Sequence, residues 1–201
     1  MPAMRFRLTI GRRIGMGFGL FIFFALLVVV LTNSTLERSR SINTEINEVY
    51  SPSVDAVVRL RNLVVNTQML IKFWANNESI PDAPEKTALI ALTEQDLPRL
   101  MDRLDTLSAG WEKEELALLN KSFGEMDKLF VMHERIKAIL PSLSSYKDPF
   151  VWMERSELAE EGGPLDEQTR ILLADVDELL KMQEAKRQSL SGGMIRSFDS
   201  L

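Results

Sequence analysis

Residues Ile14 to Leu31 form an unbroken apolar run, Ile-Gly-Met-Gly-Phe-Gly-Leu-Phe-Ile-Phe-Phe-Ala-Leu-Leu-Val-Val-Val-Leu, with no charged and no strongly polar side chain. Coiled as a helix, this run is about 27 Å long, close to the ~30 Å hydrocarbon core of a bilayer. A core helix of a soluble domain would carry a polar face, and this segment has none. Arg5, Arg7, Arg12 and Arg13 precede the run without a single acid. Their charge favours retaining that end in the cytoplasm and exporting the residues beyond Leu31. A cleaved signal peptide is the competing reading. Thr32-Asn33-Ser34 is a weak cleavage site, and the run exceeds the usual apolar length of such leaders. The expected division is therefore a basic cytoplasmic segment 1–13, a transmembrane helix 14–32 and an exported domain 33–201.

Charge separates the two parts. The whole chain has 24 basic and 29 acidic residues. Setting aside the four leading arginines leaves 20 basic residues against those 29 acids, so the exported part is near −9. Such a domain is a poor match for nucleic acid, whose phosphates require clustered Lys and Arg. No cysteine is present, which excludes thiol catalysis, zinc ribbons and disulfides. Gly15, Gly17 and Gly19 lie inside the apolar run with no preceding strand, so a nucleotide loop is not indicated. Gly15 and Gly19 do form a G-x-x-x-G pair, a helix-pairing pattern that is frequent by chance.

Beyond the run the apolar period is helical. Val57, Leu60, Val64, Thr67, Ile71 and Trp74 alternate steps of three and four, the mark of one buried helix face. Ile42, Ile46 and Val49 extend this stripe toward the membrane, so the anchor is expected to run on into the first helix, with a kink or short break at Tyr50–Pro52. Turn chemistry between Asn76 and Pro84 reverses the chain. A second helix starts near Glu85, uses Leu89, Leu92, Leu97, Leu100, Leu104 and Leu107, and bends at Pro98. Gly110 is the expected left-handed cap. The third helix carries Leu116, Leu119, Phe123, Met126, Phe130, His133, Ile136 and Leu140, and Pro141 ends it. Phe150, Trp152 and Met153 suggest a short helix that caps the bundle. After Gly162-Gly163-Pro164, a fourth helix places Asp166 and Glu167 in its first turn and buries Leu172, Val176 and Leu179. The pattern fades from Gly192. Trp74 and Trp111 are expected in the core. The fold class is all-α: an antiparallel four-helix bundle whose first helix continues from the transmembrane helix.

These segments resemble the methyl-accepting chemotaxis receptors. The opening Thr9-Ile10-Gly11-Arg12-Arg13-Ile14-Gly15-Met16-Gly17-Phe18-Gly19 is similar to their N-terminal membrane segment. Tyr50-Ser51-Pro52 with Val54 to Leu70 resembles their first sensor helix, and Glu160-Glu161-Gly162-Gly163-Pro164-Leu165 leading to Gln183 resembles their fourth. The resemblance is diffuse and covers nearly the whole chain. It implies a homodimeric periplasmic sensor in a bacterial inner membrane, binding a small molecule or a periplasmic binding protein. In that family a second membrane span and a cytoplasmic signalling region come after the fourth helix. Gly193 to Leu201 is no span, so a truncated receptor and a stand-alone relative both stay open. The alternative function is a single-span structural or accessory subunit whose domain docks another membrane protein complex.

In that family, arginines of the first sensor helix hold anionic ligands. The matching region here carries Arg59, Arg61 and Lys72, with Asn62 and Asn66 as hydrogen-bonding neighbours, and these five form the candidate ligand site. A guanidinium fork grips a carboxylate in two places, and positions 61 and 72 share a helix face. The competing reading is ordinary surface charge.

No catalytic, metal or cofactor site is indicated. His133 is the lone histidine; it opens like a zinc-protease motif, but the second histidine position is Lys137. It falls on an apolar stripe and is expected to be packed. Glu114, Glu115, Asp175, Asp177 and Glu178 read as a solvated acidic face rather than acid–base pairs. No nucleophile motif is present, so an enzyme is not expected.

Overall fold

The computed structural model describes residues 10–78, 80 and 82–199. Arg5 and Arg7 of the basic N-terminus, and Ser79 and Pro81 of the first reversal, lie outside the described residues. The protein is all-helical, with no strand among the described residues. Its helices are α1 (Ile10–Glu45), α2 (Ser51–Asn76), α3 (Pro84–Ala91), α4 (Leu97–Ser108), α5 (Lys113–Ile139), α6 (Pro149–Ala159) and α7 (Pro164–Asp199). The chain divides into two compact units, residues 1–45 with 190–201, and residues 46–189.

In the first unit α1 contains the apolar run. Every residue from Gly15 to Leu31 is exposed. Phe18, Phe21, Val28 and Val30 are each more than half exposed. This helix is long and apolar enough to cross a membrane. Helix α7 reaches Asp199, past the expected loss of pattern at Gly192.

The second unit has a conventional core. Val57, Leu60, Val64, Thr67, Ile71 and Trp74 of α2 are all buried, as their spacing predicts. Leu89, Leu97, Leu100 and Leu104 of α3 and α4 join them, with Leu119, Met126, Leu129, His133 and Ile136 of α5 and Leu172, Val176 and Leu179 of α7. Fully burying one such leucine or valine contributes about 1.5–3 kcal/mol.

Two prolines act on the helices in the same way. At the expected kink or short break, Tyr50–Pro52, the α-helix is interrupted by a π turn, while helical backbone as a whole runs from Gly15 to Asn76. A π turn, Ile46–Tyr50, precedes Pro52, and a second π turn, Leu92–Asp96, precedes Pro98. A proline has no N–H to give and crowds the carbonyl four residues back. Each π turn widens the ladder ahead of it, so the helix continues through the proline instead of stopping.

Two glycine positions differ in kind. Gly110 is not the expected left-handed cap, since Gly162 is the only positive-φ residue among those described, at φ 75°. Space governs Gly110 instead: a Cβ there would meet Val49 Cγ1 at 3.0 Å. Trp111 beside it is buried, and its indole N–H donates to Ser53 Oγ at 2.8 Å. Helix α5 then opens on a capping box between Glu112 and Glu115.

The expected short helix between α5 and α7 forms, and the large apolar residues that mark it are exposed. Asp148 starts α6 by accepting from the Phe150 N–H at 2.8 Å. Phe150, Trp152 and Met153 are 79%, 56% and 61% exposed, while Tyr146, Leu158 and Ala159 are the buried residues. Tyr146 OH donates to the Trp74 carbonyl at 2.7 Å, and Arg155 donates to the Ala75 carbonyl at 2.6 Å. These bonds satisfy carbonyls at the C-terminal end of α2.

Candidate functional site

The five candidate ligand residues sit on α2 but divide between two faces. Arg61 and Lys72 share one face, as their spacing predicts, and both pair with α7. Arg61 Nε donates to Asp177 Oδ1 at 2.7 Å. Lys72 Nζ lies 2.5 Å from Asp166 Oδ1, which also accepts from Gln68 Nε2 at 2.9 Å. The Gly162 N–H donates to the other Asp166 oxygen at 2.9 Å. Burial pushes the Asp166 carboxyl up, but Lys72, Gly162 and Gln68 together hold it below the usual aspartate value.

Arg59, Asn62 and Asn66 lie on the other face and line an open groove of about 500 Å³ against α4. The opposite wall carries Asp96, from the second π turn, with Arg99 and Arg103. Leu63, Leu92 and Leu100 line the groove between the two walls. Among the described residues, no hydrogen bond or ion pair engages the side chains of Arg59, Asn62, Asn66, Asp96, Arg99 or Arg103. Three arginines against one aspartate give the groove a net positive charge inside an acidic domain. Such a concave site, with an apolar lining and a few polar groups, suits a small anion.

Sequence reasoning missed Arg99 and Arg103. Their signal was present: Asp96, Arg99 and Arg103 repeat the three-then-four spacing of Arg59, Asn62 and Asn66. Two polar rows at that spacing, each beside a leucine stripe, can face one another across a helix pair.

The acidic face is not uniformly solvated. Glu115 and Asp175 are 3% and 6% exposed. Glu115 accepts the Glu112 N–H at 2.7 Å, and Asp175 pairs with Lys121 at 2.7 Å. These carboxylates serve capping and pairing, and burial beside a cap or a lysine is what draws them inward.

His133 is packed, as its stripe position predicts. It is 1% exposed and meets Phe130 edge-on, with ring centroids 5.2 Å apart. Burial, with help from Lys137, lowers its pKa to about 4, so the ring is neutral. No group of three or more metal-ligating side chains occurs among the described residues.

No protein-family model, curated protein or solved structure matches this chain.

Proposed function

We propose that this chain is a membrane-anchored sensory module of chemoreceptor type. Residues 14–32 are a transmembrane helix, with the N-terminus cytoplasmic and the second unit in the periplasm of a bacterial inner membrane. In this reading α2, α3 with α4, α5 and α7 form the four arms of an antiparallel bundle, and two copies pair as a homodimer. The α2–α4 groove receives a small ligand, and its occupancy is relayed through α1 to a signalling partner. No catalytic step is assigned.

One observation carries the reading. An uncovered apolar helix is joined by continuous helical backbone to a folded helical unit that holds a basic groove without internal ion pairs. Uncovered apolar surface of this extent calls for lipid. Unpaired arginines in a groove call for an anion.

A second reading is favoured by α6. Phe150, Trp152 and Met153 are large apolar residues exposed on one short helix, which suits a structural subunit that docks another membrane protein. The melting temperature of the full chain in detergent, scanned across small anions, separates the two. A sensor melts higher when a ligand binds its folded state. A docking subunit shows no such rise and co-purifies with a membrane partner instead.

A further inference from the structure

We propose that Trp111 latches the π turn Ile46–Tyr50, so that the α4–α5 reversal controls whether this turn is held closed or opens. The inference goes beyond the sensory reading and holds equally for a docking subunit. The turn stands between α1 and α2 in the chain, so whatever opens it changes how the two are joined.

The need for a latch comes from the backbone. A π turn carries one residue more than an ordinary helical turn, and its hydrogen bonds run one position longer. Pro52 donates no N–H, so the ladder is weakened where the turn hands over to α2. A stretch of this kind opens readily unless something outside it holds it.

The latch is a directed chain of hydrogen bonds. The Trp111 indole N–H donates to Ser53 Oγ at 2.8 Å. An indole can only donate, so the Ser53 hydroxyl accepts there and is left to donate elsewhere. It donates to the carbonyl of Val49, within the π turn, at 2.6 Å. Ser53 is fully buried and Trp111 is 7% exposed, so water does not compete for these groups. The backbone at Gly110 lies against the Val49 side chain as well. Trp111 is itself fixed by the residue that follows it. Glu112 pairs with Lys186 of α7 and takes part in the capping box that starts α5.

The second π turn provides the contrast. Leu92–Asp96 also precedes a proline, yet none of its residues is buried. Thr93 bonds back to Leu89 and Ile90 on the preceding helix, and so supplies no tie to another element. In the first turn, Tyr50 is 2% exposed and the tie comes from residue 111, 58 positions from Ser53. The proline is common to both turns; the indole is not.

Hydrogen exchange of the full chain in detergent, read segment by segment by mass spectrometry, tests this with Trp111→Phe and Ser53→Ala. Trp111→Phe keeps a ring in the core and removes the donor. In each variant the amides of 46–53 are expected to exchange about fivefold to tenfold faster. Segments Leu92–Asp96 and Leu119–Ile136 are expected to keep parental rates. The double variant is expected to exchange no faster than Ser53→Ala alone, because both changes cut one chain. Equal acceleration in Leu119–Ile136 would reduce Trp111 to a packing residue and overturn the proposal. Parental rates across 46–53 would overturn it too, since the turn would then hold itself. If Trp111→Phe does not fold, Ser53→Ala decides by the same two segments.

Discussion

The run Gly15 to Leu31 and the stripe Val57 to Trp74 draw on similar apolar residues and end in opposite surroundings. The first is exposed at every position, and the second is buried at every stripe position. The difference lies in period. A helix that is apolar all round has no polar face to turn toward water, so burying it inside a small domain would leave some of it exposed. A stripe at steps of three and four offers one apolar face to neighbouring helices and leaves the rest to water. Composition alone does not separate these fates; the placement of polar residues between the apolar ones does.

The comparison breaks if the two regions respond alike to substitution. The largest effect is expected from Ile22→Arg with Leu26→Arg in the apolar run. Two arginines near the centre of a membrane helix cost about 5–7 kcal/mol of insertion, so the chain should leave the membrane pellet on alkaline extraction. The melting transition of the second unit should be unchanged. The reciprocal change, Leu60→Ala or Leu172→Ala, should cost about 2–5 kcal/mol in denaturant titration and leave membrane retention intact.

A third expectation sharpens the account of the core. The pKa of His133 is lowered to about 4 in the folded state, against 6.5 for the unperturbed group. The unfolded chain therefore binds a proton that the folded chain refuses. Stability from this site is full above pH 6.5 and falls as pH drops from there to about 4, by up to about 3 kcal/mol. His133→Phe should flatten that part of the stability–pH curve. Asp166→Asn should have a smaller effect, about 1–2 kcal/mol at neutral pH, through weakened bonds to Lys72, Gln68 and Gly162. Because the Asp166 pKa is depressed, its contribution is present above the unfolded value of 3.8 and disappears as pH falls through the folded one. The smallest effect is expected at Phe150→Ser, within about 0.5 kcal/mol of the parent, because its side chain packs against little.

The helices are legible wherever one repeat governs them. Val57 to Trp74, Leu119 to Ile136 and Leu172 to Leu179 are read directly from spacing. Pro84 and Pro141 bound their helices as proline chemistry requires. The π turns are harder to see, although Leu92 to Leu97 is a step of five in a run of threes and fours. That step marks the inserted residue, whereas Pro98 on its own points only to a bend. Phe150, Trp152 and Met153 mark the short helix, but they do not say which of its residues are buried, and the inward positions of that segment go to Tyr146, Leu158 and Ala159. Gly110 misleads because spacing cannot tell a glycine needed for its φ from one needed for closeness to Val49. For the site, Arg59, Asn62 and Asn66 are found from α2 alone. Arg99 and Arg103 depend on which helix lies across from α2, and one helix does not state its neighbour.

The absence of cysteine makes one measurement direct. Single-cysteine variants Ala3→Cys and Asn77→Cys, expressed as full chains, are treated with a membrane-impermeant maleimide before and after the membrane is opened. The account predicts that Asn77→Cys labels in intact cells with a permeable outer membrane, and Ala3→Cys only after the inner membrane is broken. Labelling of Ala3→Cys from outside with Asn77→Cys protected, or protection of both, would place the helical unit in the cytoplasm or the chain in another topology, and would contradict an exported sensory domain behind an N-terminal membrane helix.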